Sequence, residues 1–224
     1  MPSADIPRFV GEGNVDLGIT GQDMVAEADV NGLIEEVLPL GFGKCKLQVQ
    51  VPDKSGITSV DELKGKKVAS SFEVLAGQYF AELDERLGGG AKTTVEYISG
   101  SVEAACALGV ADGIVDLVES GETMRAAGLS AIATVLETEA VLIRSSKTTS
   151  PDSRAMTDLI TSRIAGVIAA AKYVLCNYNI ARKNLDQATQ ITPGRRAAVS
   201  GVCSLRGSEH LADTPWHARA RSFS

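Results

Sequence analysis

The stretch V-D-L-V-E-S-G-E-T-M-R, Val115–Arg125, reads as a strand that runs through a Ser-Gly turn into a helix. Side chains alternate along a strand, so Asp112 and Asp116 fall on one face of it. Gly121 can take a left-handed backbone and lets the chain approach a ligand closely. Free amides at the turn Glu119–Thr123, with the hydroxyls of Ser120 and Thr123, make a nest suited to a phosphate. The same residues also make an ordinary helix start, with Ser120 or Thr123 as the N-cap and a glutamate in the first turn. The acids Asp112, Asp116, Glu119 and Glu122 are poor company for a bare phosphate. They suit a ligand that arrives with magnesium or that offers ribose hydroxyls.

An echo of this stretch lies a hundred residues earlier. V-D-L-G-I-T-G-Q-D-M-V, Val15–Val25, is identical to Val115–Arg125 at five of eleven positions, and it too reads as strand, Thr-Gly turn and helix. The echo predicts two similar lobes, each offering a helix N-terminus to a cleft. Strand-like runs at Lys46–Val51, Lys67–Ser70, Thr94–Ile98 and Val135–Ile143 alternate with helical patterns at Gln22–Ala28, Ser59–Leu63, Val74–Leu83, Val102–Leu108 and Ala155–Ala171. The polar stretch Arg144–Arg154 reads as a linker, Tyr173–Cys176 as a last strand and Leu185–Thr189 as a last helix. Strands alternating with helices predict an α/β fold with mostly parallel sheets.

Composition narrows the chemistry. With 28 acidic and 22 basic residues the chain carries a formal charge of −6, which disfavours nucleic acid as a partner. No apolar run approaches the roughly 20 residues of a membrane helix. The first residues lack the basic and apolar regions of a secretory signal, so a cytoplasmic protein is expected. Cys45, Cys106, Cys176 and Cys203 are widely spaced, as reduced thiols are, and both histidines, His210 and His217, lie near the C-terminus. A zinc site or a histidine-based triad has little material in the body of the chain.

The run D-G-I-V-D-L-V-E-S-G-E-T-M-R-A-A-G-L, Asp112–Leu129, resembles the phosphoribosyl pyrophosphate motif of the ATP phosphoribosyltransferase family. V-D-L-G-I-T-G-Q-D-M-V-A-E, G-F-G-K-C-K-L-Q-V-Q-V-P, S-G-S-V-E-A-A-C-A-L-G and I-T-P-G-R-R-A resemble that family in the same order, closest to its fungal members. The resemblance implies a two-lobed fold like a periplasmic binding protein of type II. Lobe I would comprise residues 1–50 and 150–196 without the family's first strand, and lobe II residues 51–149. Residues 197–224 are expected to form a tail outside the resemblance, with the histidine-binding regulatory domain and its feedback inhibition absent.

The implied reaction is the first step of histidine biosynthesis. N1 of ATP attacks C1 of phosphoribosyl pyrophosphate and expels pyrophosphate, with Mg2+ as the cofactor and a homo-oligomer as the family's assembly. By position, Glu119, Ser120, Gly121, Glu122 and Thr123 would hold the 5-phosphate. Asp116, with Asp112 on the same strand face, would hold the ribose, and Glu103 would stand beside Asp116 as the second catalytic carboxylate. Thr20, Gly21 and Phe72 would line the nucleotide site, while Lys44 and Lys46 either reach ATP phosphates or remain solvated. Phe72 reads equally well as a core aromatic at a helix start. No direct magnesium ligand is assigned. The rival reading is a non-catalytic phosphate-ligand-binding module, or an inactive fragment.

Overall fold

A computed structural model describes residues 1–147, 150–172 and 180–191 of the 224-residue chain. Contacts divide it into a unit Met1–Ile168 and a unit Ala169–Ser224. Within the second unit the described elements are the end of a helix that runs Pro151–Lys172, a 3-10 turn, Arg182–Asn184, and a helix α7, Leu185–Ile191. The expected strand Tyr173–Cys176, both histidines and the tail lie outside the described residues.

The first unit is built on two sheets. The smaller is antiparallel, in the order β1 (Leu17–Gly21), β8 (Ala140–Ser145), β2 (Ile34–Pro39). Helix α1 (Ile6–Gly11) packs on it by burying Val10 against Val141 and Ile143. The larger sheet has the order β5 (Thr94–Tyr97), β4 (Lys67–Ser70), β6 (Gly113–Val118), β3 (Cys45–Pro52), β7 (Leu129–Thr138). The expected parallel pairing holds at β5–β4–β6, whereas β3 pairs antiparallel with both β6 and β7. The direction changes because β3 and β7 are the strands through which the chain enters and leaves this sheet.

Those two crossings also shift the expected lobe boundaries. Cys45–Pro52 belongs wholly to the larger sheet, and Ala140–Ser145 returns to the smaller one. Val135–Ile143, expected as one strand, is therefore the end of β7 and the start of β8, divided at Glu139. At the other crossing, Gly41 and Gly43 take φ of +79° and +64° on either side of Phe42. Leu40 N–H donates to the Ala140 carbonyl and Ala140 N–H to the Phe42 carbonyl, which ties the two crossings together.

The larger sheet is covered on both faces. Alternation sends Leu47, Val49, Val51 and Val115 to one side, where α3 (Glu73–Leu87) buries Ala76, Phe80 and Leu83 against them. Ile114 and Ala69 meet Val102 and Ala105 of the α4 segment (Ala104–Ala107) on the other side. Ser59 and Glu62 form the expected helix start, closed as a reciprocal capping box on a 3-10 turn, Val60–Leu63. The amides of Thr58 and Ser59 hold the Glu62 carboxyl below the usual carboxylate range. Helix α3 has no side-chain cap of its own, because its N-cap residue is Phe72. The cap comes instead from α2 (Gln22–Glu27), beside the smaller sheet. The carboxylate of Glu27 accepts from the N–H groups of Val74 and Leu75 at 2.9 and 3.0 Å.

The expected linker Arg144–Arg154 begins too early. Arg144 is the fifth residue of β8, its side chain only 7% exposed, bonded to Glu35 at 2.8 Å and Asp158 at 2.6 Å. These two carboxylates make its burial tolerable and tie α6 (Pro151–Lys172) to the smaller sheet. No described helix is long and apolar enough to cross a membrane.

Candidate functional site

The residues after β6 form the turn that the sequence marks out. Gly121 sits at φ 75°, ψ 9°, left-handed, as the N-cap of α5 (Glu122–Ala126). A residue with a Cβ is strained in that region, so glycine is favoured there. Ser120 Oγ accepts the Glu122 N–H at 3.3 Å and so shapes the turn from within. Glu119, Ser120, Glu122 and Thr123 are exposed and Gly121 is buried. Glu119, Ser120 and Gly121 line a cleft of about 480 Å³.

Asp116 stands two residues from the end of β6, opposite Gln48 of β3, half-buried. Burial is the larger cause that pushes its carboxyl up, opposed by the Leu117 N–H donated to its Oδ1 at 2.8 Å. The charge of Glu103, the residue that the family resemblance sets beside it, pushes it up further. Glu103 is half-buried at the N-cap of α4, on the sheet face that Asp116 shares with Ile114. Asp112 does not join them. It lies at the opposite end of β6, roughly 20 Å from the turn at about 3.3 Å per residue. Its carboxylate accepts the Lys67 N–H at 3.1 Å, so it fastens β4 to β6.

The first echo folds differently from the second. Thr20 and Gly21 remain inside β1, paired with Val141 and Ala140, and Gly21 is extended at φ −80°. Thr20 is 5% exposed and donates its hydroxyl to the Ser3 carbonyl. The head of α2 is already occupied: Gln22 N–H donates to Glu139, and Asp23 N–H to Thr138 Oγ1. Thr138 Oγ1 in turn donates to Asp23 Oδ1 at 2.8 Å. The amides that an anion nest would need are thus spent on joining the sheets. Phe72 is 4% exposed and packs into the core under α3, so the core-aromatic alternative holds and the ring does not reach the cleft lining.

The cleft wall beyond the turn is made by Gln22, Lys44, Cys45, Lys46 and Gln48, with Glu137 to Glu139 where the chain leaves β7. Lys46 is paired with Glu137 at 2.7 Å. Burial, then the charges of Asp23 and Glu119, hold the Cys45 thiol above its usual range, which disfavours the reactive thiolate. Met124 and Arg125 complete the turn's side. Arg125 Nη2 donates to the Ser120 carbonyl at 3.2 Å. Sequence reasoning passed over Arg125, although its place four residues after Gly121 puts it one helical turn away, over the turn itself.

Residues 2–166 match the family model described as ATP phosphoribosyltransferase. The chain belongs to the ATP phosphoribosyltransferase family. The model of that family's C-terminal domain matches residues 170–212. That second match takes in 198–212, which the motif resemblance left outside, so the family likeness does not end at residue 197. The ATP phosphoribosyltransferase of Yarrowia lipolytica is 59% identical over 199 residues, 89% of this chain and 66% of that protein. The chain spans about two thirds of the length of the curated relatives it matches. Among solved structures, the ATP phosphoribosyl transferase (HisG:HisZ) complex of Thermotoga maritima superposes with a TM-score of 0.64 at 20% identity, over 75% of this chain and 78% of that one. The substrate-binding protein of an amino acid ABC transporter superposes at 0.53 and 13% identity, over 85% and 73%. At such identities these likenesses establish the fold: α/β and two-lobed, like a periplasmic binding protein.

Proposed function

We propose that this chain transfers the phosphoribosyl group of phosphoribosyl pyrophosphate to N1 of ATP, giving phosphoribosyl-ATP and pyrophosphate in the first step of histidine biosynthesis. The observation that supports this reading is the left-handed Gly121 turn, open to a cleft and preceded on β6 by the half-buried carboxylate of Asp116. Glu119–Thr123 take the 5-phosphate through backbone amides and the Ser120 and Thr123 hydroxyls. Asp116 takes the ribose hydroxyls, and with Glu103 it supplies negative charge beside a ring that becomes oxocarbenium-like as pyrophosphate departs. The acceptor ATP enters from the wall that carries Gln22 and Lys44.

Among the described residues no three His, Cys, Asp or Glu side chains converge. Magnesium does not need such a cage; one or two carboxylates with substrate phosphates satisfy it, and the Asp116–Glu103 pair fits that habit. When bound, the ion neutralises the leaving pyrophosphate. The working protein is read as cytoplasmic and as a homo-oligomer.

The test is a calorimetric titration with magnesium phosphoribosyl pyrophosphate, followed by an assay of pyrophosphate release on adding ATP. Saturable binding with release is expected; binding without release would instead select a non-catalytic phosphate-ligand-binding module. A hydrogen bond to a charged group contributes about 1.5–3 kcal/mol, so Ser120→Ala is expected to weaken binding by roughly ten- to a hundredfold. Unchanged affinity in that variant would remove the turn from the phosphate site.

A further inference from the structure

The turn has the geometry of an anion site but the charge of the opposite kind. Glu119 and Glu122 lie within it and Asp116 just before it. Helix α5 has only five residues, too few aligned peptides to build a useful dipole. A phosphate monoester carries about −1.5 to −2 charges at neutral pH. Backbone amides alone must therefore work against the acids around them.

One cation of the turn is placed to answer them. Arg125 folds back from the first turn of α5 so that Nη2 meets the Ser120 carbonyl at 3.2 Å. Its Nη1 occupies the space a side chain at 121 would need, 2.8 Å from where the Cβ would stand. Glycine at 121 serves the left-handed backbone and leaves room for the guanidinium beside it. Guanidinium carries five N–H donors, and the bond to Ser120 uses one of them. Arg125 lines the same cleft as Lys44 and Lys46; of these, Lys46 is already paired with Glu137.

We propose that Arg125 is the phosphate-binding cation of this turn: it braces the turn through the Ser120 carbonyl and gives its remaining donors to the 5-phosphate of the bound sugar. This rests on the phosphoribosyl pyrophosphate reading above. Arginine suits the double task because its rigid planar fork presents separate donors to the carbonyl and to the phosphate with less loss of side-chain freedom than an ammonium on a flexible stem.

The experiment is a titration of the full chain with magnesium phosphoribosyl pyrophosphate, comparing wild type, Arg125→Gln and Arg125→Lys at low and high salt. Arg125→Gln is expected to bind roughly ten- to a hundredfold more weakly, and with a shallower salt dependence, because one screened charge contact is gone. Arg125→Lys is expected to fall between, keeping the charge without the fork. Unchanged thermal midpoints accompany this result, since the side chain is exposed. Wild-type affinity in Arg125→Gln would overturn the inference alone. Equal losses in both variants would leave only the brace and overturn the phosphate contact. No binding by folded wild type would overturn this inference together with the reading it rests on.

Discussion

Asp116→Asn is expected to lower turnover by roughly 10²–10³-fold while leaving the fold intact, the cost of removing one preorganised charge beside a developing cation. The structure supports separating the two effects. Burial and Glu103 both disfavour the Asp116 carboxylate in the folded protein, so its ionised form opposes folding. A carboxyl raised above its unfolded value makes the native state bind more protons, and stability falls as pH rises through the raised value. Wild type should therefore gain stability on acidification through that window, and the Asn variant, which has no such proton, should not. At neutral pH the variant melts no lower than wild type; below the ordinary carboxylate range the difference closes. Turnover runs the other way, because the ribose contact needs the ionised form, so the acid limb of the wild-type profile is displaced upward in the direction of that shift. Thermal melts and initial rates across pH 4 to 8 measure both. A variant that loses its cooperative melt at neutral pH would make Asp116 a structural residue.

Phe80→Ala is expected to destabilise the first unit by about 3–5 kcal/mol, the range for truncating a buried aromatic. Phe80 is 1% exposed and packs from α3 against Leu47, Val49 and Val51 of β3, with its ring edge-on to Tyr79 at 5.4 Å between centroids. Phe80 also borders an open pocket of about 690 Å³ beside α3, which the truncation enlarges. Urea titration should show a lower midpoint with an unchanged slope. A loss under 1 kcal/mol would mean that α3 reseats on the sheet. Affinity for magnesium phosphoribosyl pyrophosphate, measured well below the melt, is expected to survive, since the turn lies on the other side of the sheet.

What the sequence conveyed follows from which signals are local. The boundaries Lys67–Ser70 agree with the structure, and the β6 strand and the Gly121 turn lie where the pattern puts them, because apolar runs and glycine act within a few residues. Strand β2 escaped notice: I-E-E-V-L-P carries a register shift between Glu36 and Leu38 that breaks its alternation. Helix α1 escaped too, being six residues with a proline near its start. The division at Glu139 is invisible in an apolar pattern that continues on both sides, since leaving one sheet for another is a long-range event. Thr20–Gly21 and Ser120–Gly121 show the same limit at the site. Their sequences echo, but pairing with β8 holds the first in a strand while the second, free of a partner strand, turns. Phe72 is ambiguous by residue type alone, and only the position of α3 buries it; Asp112, expected beside Asp116 at the ribose, is drawn instead to the Lys67 amide by a pairing of β4 with β6 that the strand pattern does not reveal.

The cap that Glu27 places on α3 has a further consequence. Its carboxylate belongs to a helix beside one sheet and the amides it accepts belong to the other, so parting the two sheets bares Val74 and Leu75 at the same moment. Their two hydrogens then act as a stopwatch for that parting, trading with deuterium only while the walls stand apart. The Ala76 amide, bonded to Phe72 within the same wall, keeps its own time. A small molecule that grips both walls would slow the first pair together and leave the third untouched, so the tightness of the grip becomes readable from three hydrogens on one helix.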